Sequence, residues 1–353
     1  MTNAIITGTG SYIPTVEIPN DHFLGHDFYG ADGIKLDRPN VEIIKKLEEI
    51  TCISERRYIN DKLNNSDMAF LAAEQALEGK DREDLDYIIV AQNFGDVISG
   101  STRVNMVPSI AARVKHMLKI ENPYTVAFDI SFGCPGWLQG MVLSDYFIKS
   151  GDAKKVLVIG AESLSRVSDA HDMDSMIYAD GAGATLVEAT DKDVGILSHV
   201  TRSDTLEHAY LLWAGKTYNP HNDGNELFIK MNGHKIYKYA VKTVPEVVMQ
   251  SLKKAGVTLT DVKKLLIHQA NEKMDEAILK RLFKLYKIKD IPENIMPMTI
   301  SWLGNSSVAT LPTLFDLLQR GRLDNHKLHS GDIAVFASVG AGMNTNSVVY
   351  RMP

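Results

Sequence analysis

The chain has 353 residues, of which 44% are hydrophobic and 23% are charged, and its formal net charge is −6. This composition is typical of a globular protein that forms one large domain or two of ordinary size. The net negative charge gives no support to nucleic-acid binding, which draws on a basic surface.

The cysteine count and the N-terminal segment bear on the cellular compartment of the protein. Cys52 and Cys134 are the two cysteines, too few for a disulfide framework or a zinc site, so we expect a reduced, cytoplasmic setting. The N-terminal residues contain no basic region followed by a long apolar run, and no stretch of about 18 apolar residues occurs. We therefore expect neither a signal peptide nor a membrane span.

Short β-rich runs alternate with helical segments, which predicts α/β layers around a mainly parallel sheet. Residues 19–47 are mixed and charged, and we assign them to an insertion without a predicted element. In the first part of the chain we predict strands at 4–7, 85–92, 124–130 and 156–160, and helices at 66–77, 108–118 and 137–149.

The second part of the chain repeats this order. A predicted helix at 237–255 precedes a strand that ends near His268, just as an earlier helix precedes the strand that ends at Gln92. A helix at 308–319 and a strand at 333–337 then follow, as in the first part. The chain becomes polar between them at 188–194, so we predict two halves, residues 1–190 and 191–353.

Cys134 lies at the junction between a predicted strand and a predicted helix. Pro135 follows it, and proline fits the first turn of a helix because its missing N–H has no intrahelical partner there. Unpaired backbone N–H groups and the helix dipole at this position favour the thiolate. Taken alone, a cysteine is more often a buried structural residue than a nucleophile, so the rest of the sequence is needed to choose between the two interpretations.

The repeat makes Asn305, at the start of the second central helix, the counterpart of Cys134. Ligand sites in such sheets lie outside the carboxyl ends of the strands, where His268 also falls. The repeat therefore predicts that the three side chains meet at one centre. Taken alone, a histidine at a strand end is usually structural, and an asparagine beside a glycine is usually a turn or cap residue.

Seven short motifs occur in an order that resembles the β-ketoacyl-acyl-carrier-protein synthase III family of condensing enzymes. They are Ile6–Pro14, Ile53–Arg56, the segment around Cys134, Asp180–Ala184, His268–Asn271, Gly304–Ser307 and Gly340–Gly342. The resemblance implies an α/β, thiolase-like fold with two pseudo-symmetric βαβαβ halves in five layers, α-β-α-β-α.

The resemblance also implies the chemistry. Cys134 takes an acyl group, and malonyl-carrier protein then loses CO2 to give an enolate that His268 and Asn305 stabilise. The enolate attacks the acyl-cysteine in a Claisen condensation that yields a β-ketoacyl product. The backbone N–H groups of Cys134 and Ala341 form the oxyanion hole, with alanine in place of the family's usual glycine.

The resemblance further implies a homodimer that uses acyl-coenzyme A or acyl-carrier-protein thioesters and needs no cofactor or metal. Acyl-carrier protein is strongly acidic, so we expect a local basic patch for it. Lys238 and Lys273 match positions assigned to that patch, and Lys235 lies near them. Asn271 and Arg166 match positions that bind substrate or carrier.

Several departures from the family pattern bear on the substrate. Lys46 and Ser54 stand where a Trp and an Arg contact the adenine of coenzyme A, which puts a coenzyme A primer in doubt. Val107 stands where the family often has a Phe that caps the neighbouring subunit's acyl pocket, so we expect a primer longer than acetyl. We expect insertions at 25–42 and 206–225 to line the tunnel mouth.

Two further motifs have structural interpretations. Residues 180–184 are glycine-rich but lack the lysine and the spacing of a phosphate-binding loop, and no clear strand precedes them, so we predict a tight turn there. Cys52 stands where the family often has glycine, and we expect it to be structural.

The sequence also bears on four other functions. A specialised ketosynthase that joins two acyl units, of the dialkylresorcinol or polyketide type, keeps the same three residues and stays open. A biosynthetic thiolase lacks support because its second cysteine is missing, and a hydroxymethylglutaryl-coenzyme A synthase needs a glutamate acid that the sequence does not reveal. A non-catalytic partner subunit is disfavoured because such subunits lose the cysteine or histidine.

Overall fold

A computed structural model describes residues 2–101, 103–222 and 224–353 of the chain. Two β-sheets form its centre, and α-helices lie between them and on both outer faces. The α-helices are α1 (Asn40–Thr51), α2 (Asn65–Ala76), α3 (Ile110–Met117), α4 (Gly136–Ser150), α5 (Thr205–His208), α6 (Gly233–Ala255), α7 (Glu272–Leu285), α8 (Ile300–Leu303) and α9 (Thr310–Gln319).

The first sheet has the strand order β1-β9-β8-β4-β7. Its strands are β1 (Asn3–Tyr12), β4 (Tyr87–Ala91), β7 (Val126–Ile130), β8 (Lys155–Ser163) and β9 (Asp180–Thr190). Strand β4 runs parallel to both β7 and β8, whereas β9 runs antiparallel to β8 and β1. The carboxyl ends of β4, β7 and β8 therefore lie at the same edge.

The second sheet has the order β10-β15-β14-β13. Its strands are β10 (Gly195–Ser203), β13 (Val262–Ile267), β14 (Ile333–Gly340) and β15 (Asn344–Arg351). Strand β13 runs parallel to β14, and β15 runs antiparallel to β14 and β10. This pattern repeats that of β4, β8, β9 and β1, as the order of predicted elements indicated.

The helices and sheets stack in five layers. Helices α4 and α9 are largely buried and lie between the two sheets, since each contacts strands of both. Helices α2 and α3 cover the outer face of the first sheet, and α6 covers that of the second, with α7 packed against α6. An α-β-α-β-α arrangement with buried central helices results.

Three small two-stranded ribbons lie outside these sheets. They are β2 (Val16–Pro19) with β3 (Glu55–Tyr58), β5 (Asp96–Val97) with β6 (Val104–Asn105), and β11 (Leu212–Gly215) with β12 (Phe228–Met231). None of these ribbons was predicted from the sequence, because each strand has only two to four residues.

The prediction of a tight turn at 180–184 is wrong. These residues begin β9, a strand inside the first sheet that pairs with both β1 and β8. Small residues are required here because α9 packs directly on the strand. A Cβ on Gly183 would approach Pro312 Cβ to 2.7 Å, and the glycine-rich composition reflects this close packing rather than a turn.

In the described ranges, none of the helices combines the length and the apolar character needed to cross a bilayer.

Candidate active site

Cys134 lies in the short connection between β7 and α4. The helix begins at Gly136, and Pro135 precedes it as the capping residue, so the sequence placed this junction correctly. Gly133 has a φ of 67°, and a Cβ on it would lie 2.5 Å from the Ala341 nitrogen. Glycine is therefore needed at 133 to bring the cysteine loop against the loop that follows β14.

The protonation state of Cys134 differs from the expectation. The pKa of its thiol is raised to about 11, chiefly by the loss of water around the sulfur and also by the nearby Glu162 carboxyl, while hydrogen bonds from Ser307 and from the residue's own backbone N–H oppose the rise. Cys134 as a whole is half-buried, and this partial loss of water outweighs the expected stabilisation by the helix start. The free enzyme thus holds a thiol at neutral pH, not a thiolate.

Asn305 lies between α8 and α9, and two backbone hydrogen bonds fix it to the first half of the chain. Its N–H donates to the Ile177 carbonyl at 3.0 Å, and its carbonyl accepts from the Ala179 N–H at 2.9 Å. Its Oδ1 accepts from the Ser307 N–H at 2.9 Å, which fixes the orientation of the amide. Nδ2 has no hydrogen-bond partner within the described residues, so it remains available to a ligand.

His268 directly follows β13, and its backbone N–H continues the ladder to the Ala337 carbonyl at 2.9 Å. Its ring is 3% exposed, and burial lowers its pKa to about 4, so the imidazole is neutral at physiological pH. Nδ1 is buried without a partner among the described residues. We assign the ring hydrogen to Nε2, because a buried N–H without an acceptor costs more than an unpaired acceptor.

A cavity of about 200 Å³ opens beside Cys134. Beside Cys134, the polar side chains of its wall come from Asn93, Ser131 and Ser307, and most of the rest is apolar. Phe94, Leu164, Leu212, Trp213 and Ile229 form the apolar part. A small, largely apolar pocket next to a cysteine suits a short acyl chain.

The loop after β14 supplies the backbone at the predicted oxyanion hole. A Cβ on Gly340 would lie 2.4 Å from the Cys134 nitrogen, so glycine at 340 permits close approach of the two loops. The left-handed conformation in this loop falls on Gly342 (φ 74°) and Met343 (φ 47°). Alanine at 341 in place of the family's glycine thus keeps its N–H beside the cysteine loop.

Three polar residues of the site escaped the sequence analysis as functional residues. Ser307 donates to Cys134 Sγ at 3.5 Å, and Asn93 Nδ2 lies 2.6 Å from Glu162 Oε2. Glu162 is fully buried, and burial raises its pKa to about 8. Asn93 and Glu162 lie at the carboxyl ends of β4 and β8, which was the one available signal for them.

Arg166 and Asn271 make contacts that differ from those expected of substrate-binding residues. The Arg166 guanidinium donates to the carbonyls of Asn60, Leu63 and Val97 and to Asn64 Oδ1. It therefore holds loops of the first half together. The Asn271 side chain accepts from the Met274 N–H at 3.1 Å and caps α7. Roles in substrate binding remain predictions for both.

The predicted lysines are at the surface. Lys238 lies on α6 with Lys235 and Lys242, and the three line a cavity of about 330 Å³ together with Arg202 and His208. Lys273 is exposed in the first turn of α7. The described chain thus has a basic surface where the carrier patch was expected.

Val107 and the two insertions occupy different surroundings. Val107 is 84% exposed and therefore available to another subunit. The 206–225 insertion, apart from Asp223, which lies outside the described residues, contributes Leu212 to Ala214 to the cavity beside Cys134. The 25–42 insertion contacts a different segment, since the Tyr29 N–H donates to the His171 carbonyl, and it contributes none of the described residues that line the cavity.

Comparisons with known proteins agree with this arrangement. Family models described as 3-oxoacyl-(acyl-carrier-protein) synthase III and its C-terminal part match residues 128–205 and 252–352. A β-ketoacyl-(acyl-carrier-protein) synthase III 1 of Halalkalibacterium halodurans is 32% identical over 99% of this chain and 99% of its own. A β-ketoacyl-(acyl-carrier-protein) synthase III of Ehrlichia canis is 32% identical over the full length of both.

A solved structure shows the same fold. The 3-oxoacyl-(acyl-carrier-protein) synthase III of Aquifex aeolicus superposes with a TM-score of 0.79 and 29% identity, covering 99% of each chain. The α/β, thiolase-like fold expected from the sequence is confirmed.

Proposed function

The chain belongs to the 3-oxoacyl-(acyl-carrier-protein) synthase III family of acyl-transferring condensing enzymes, and we propose that Cys134 is its acyl-carrying nucleophile. The observation that carries this proposal is the convergence at one cavity. Cys134, Ser307 and Ala341 line it, and Ser307 links the Cys134 sulfur to Asn305. A nucleophile and oriented hydrogen-bond donors thus lie at the same place.

In the loading step, the Cys134 sulfur attacks the carbonyl carbon of an acyl thioester. A new S–C bond forms, the original thioester C–S bond breaks, and the cysteine proton ends on the departing thiol. The backbone N–H groups of Cys134 and Ala341 stabilise the negative oxygen of the tetrahedral intermediate. Because the free cysteine is a thiol, its proton leaves as attack proceeds rather than beforehand.

In the condensing step, a malonyl thioester loses CO2 and leaves an enolate. Nε2–H of His268 and Nδ2 of Asn305 donate hydrogen bonds to the enolate oxygen. The enolate carbon attacks the acyl-cysteine carbonyl, a C–C bond forms, and the C–S bond to Cys134 breaks. A neutral imidazole and an amide suit this task because neither adds a competing anion.

The carrier-protein partner is supported by the basic surface on α6. Lys235, Lys238 and Lys242 are exposed and spaced by three and four residues, so they share one face of the helix. Lys273 adds a further exposed cation at the start of α7. An acidic acyl-carrier protein would be attracted to this surface, and binding there would weaken as salt increases.

A homodimer is supported by the free edge of the first sheet. Strand β7 is its last strand, and an edge strand offers unpaired N–H and C=O groups to a second copy. Tyr124 and Val126 are exposed beside this edge, and Val107 is exposed as well. A partner's Val107 would then reach the acyl pocket, where a small side chain leaves room for a primer longer than acetyl.

We place the enzyme in the cytoplasm because both cysteines are free.

Substitution of His268 or Asn305 by alanine tests the division of roles. Either variant should still form acyl-Cys134, while malonyl decarboxylation should fall about 100-fold or more because an enolate donor is lost. Loading is followed by intact-protein mass and decarboxylation by CO2 release. His329→Ala, at an exposed histidine, serves as the control and should match the wild type. Loss of loading with decarboxylation intact would contradict the assignment.

A further inference from the structure

A chain of hydrogen bonds leads from a buried carboxyl to the nucleophile. Ser307 Oγ donates to Cys134 Sγ at 3.5 Å, and Asn93 Nδ2 lies 3.4 Å from Ser307 Oγ. The same Nδ2 donates to Glu162 Oε2 at 2.6 Å. The residues come from the ends of β4 and β8, from the cysteine loop and from the segment before α9, so the fold assembles them.

The direction of each hydrogen bond in this chain is determined. Asn93 Oδ1 accepts from the Gly133 N–H at 3.1 Å, which fixes which end of the amide faces which neighbour. Its Nδ2 then has two hydrogens, one for Glu162 and one for Ser307 Oγ. A hydroxyl has a single hydrogen, so a Ser307 hydroxyl that accepts from Asn93 directs its hydrogen to the cysteine sulfur.

The backbone of Ser307 is in a conformation that a serine seldom adopts. Its φ is 53°, in the left-handed region that favours glycine. The hydrogen bond from its N–H to Asn305 Oδ1 helps to hold it there. Glycine would be less strained at this position than serine. A serine in such a conformation is expected when its hydroxyl has a function.

We propose that Ser307 is a catalytic hydrogen-bond donor to the Cys134 sulfur, and that Asn93 and Glu162 are positioning residues that aim its hydroxyl. This inference rests on the proposed function of Cys134 and adds a group to it. The sulfur becomes negative twice in the cycle, when the cysteine loses its proton during loading and when the C–S bond breaks at the end of condensation. The same hydroxyl stabilises the sulfur in both steps.

The surroundings explain why such a donor is needed. Cys134 is half-buried in the wall of the cavity, and the groups whose charge acts on the buried Glu162 include Asp180, another carboxyl. An unassisted thiolate at this place would face a buried acid and no nearby cation among the charges that act on it. A hydrogen bond to a charged atom is worth more than one to a neutral atom, so the hydroxyl matters most when the sulfur is ionised.

Alkylation of Cys134 by iodoacetamide tests the proposal without any acyl substrate. The rate is measured against pH on the full-length protein, and peptide mass spectrometry separates Cys134 from Cys52, which serves as the internal reference. Ser307→Gly removes the hydroxyl and relieves the backbone strain, so the variant should fold. We expect alkylation of Cys134 at pH 8 to fall about tenfold or more, and its pH profile to shift upward.

Two further variants separate a chemical role from a structural one. Ser306→Ala removes the adjacent hydroxyl, which contacts Thr310 Oγ1, and should leave the Cys134 profile unchanged. Asn93→Ala frees the Ser307 hydroxyl to rotate and should slow alkylation about threefold. A Ser307→Gly protein that alkylates at Cys134 as fast as the wild type, or an equal loss in Ser306→Ala, overturns the proposal.

The loading reaction distinguishes this inference from the proposed function. If the wild type forms acyl-Cys134 and Ser307→Gly does so more slowly by the factor seen in alkylation, the donor acts in catalysis. If the wild type loads no acyl group while the alkylation shift persists, the donor role stands and the proposed function fails.

Discussion

Three ionisable groups of the active site, two buried and one half-buried, have pKa values that favour their uncharged forms. Burial raises the pKa of Cys134 to about 11 and that of Glu162 to about 8, and it lowers the pKa of His268 to about 4. The resting site therefore carries little charge at neutral pH, although its residues are ionisable. In the proposed mechanism, charge appears only during turnover, on the thiolate and on the enolate, each next to the donors assigned to it.

The raised pKa of Glu162 predicts how stability changes with pH. The folded pKa of about 8 lies above the ordinary value of 4.5, so the protonated carboxyl is favoured by folding. Its contribution is fully present below pH 4.5 and is lost as pH rises through 8. The Glu162→Gln variant has no titratable group at this position. Between pH 4.5 and pH 8.5, its unfolding free energy should therefore rise by ~4 kcal/mol relative to that of the wild type.

Urea unfolding of both proteins at pH 5 and pH 8.5, at one protein concentration, measures this difference. His268 titrates in both proteins, so its effect cancels in the comparison. Equal pH dependence of the two unfolding free energies would show that Glu162 is ionised throughout.

The site residues differ in how far the sequence could predict them. Cys134, His268 and Asn305 lie in short motifs whose order is informative, and the structure links Cys134 to Asn305 through Ser307. Asn93 contacts Glu162 across 69 positions and Ser307 across 214. Those contacts depend on how the two halves pack, so no local pattern indicates them.

Among the elements, β9 shows why composition alone led to the wrong prediction of a turn. Its first residues are small because α9 lies against them, and a run of glycine and alanine also resembles a turn. Helices α2, α3, α4, α6 and α9 were predicted close to their observed bounds, because their apolar faces and terminal glycines are local features, whereas α1 and α7 were not predicted. The short ribbons had no such signal.

The β11–β12 ribbon is anchored by a buried cation. Lys230 Nζ contacts Asp169 Oδ2 at 2.5 Å and Asp172 Oδ2 at 3.0 Å, and it lies 3.4 Å from the centre of the Tyr218 ring. The Lys230 side chain is 1% exposed. The ribbon carries Leu212, Trp213 and Ile229 of the acyl cavity, so this cluster holds one wall of the active site in place.

Lys230→Met should destabilise the protein and loosen that wall. Two buried carboxylates lose their cation, and breaking a buried ion pair typically costs about 3–5 kcal/mol. Urea unfolding measures the loss. Lys280→Met removes an exposed pair with Glu276 and should change the unfolding free energy by less than about 0.5 kcal/mol. A similar effect of both substitutions would show that Lys230 is not an anchor.

At the scale of the whole molecule, the repeat of strand order explains the site. Each half brings a central helix start to the interface, with Cys134 before α4 and Asn305 before α9. The boundary at residues 190 and 191 stays a prediction, as does the homodimer, because one chain shows no partner. Both agree with a first sheet whose strands end at Thr190 and leave β7 at an edge.

The identity of the acyl group is the property that the sequence predicted least. The cavity of about 200 Å³ lies within a single chain. In the proposed homodimer, Val107 would instead contribute to the acyl pocket of the partner subunit. Lys46 and Ser54 concern the donor rather than the acyl chain. In the proposed homodimer, primer length would therefore depend on the interface between the subunits.

The most direct test of the central claim is covalent loading seen by intact-protein mass spectrometry. Wild type, Cys134→Ala and Cys52→Ala are each incubated with a panel of acyl-coenzyme A and acyl-carrier-protein thioesters. We predict that the wild type and Cys52→Ala gain the mass of one acyl group, that Cys134→Ala gains none, and that acyl chains longer than acetyl load best. Acyl loading of the Cys134→Ala protein would contradict the account, because the nucleophile would then be another residue.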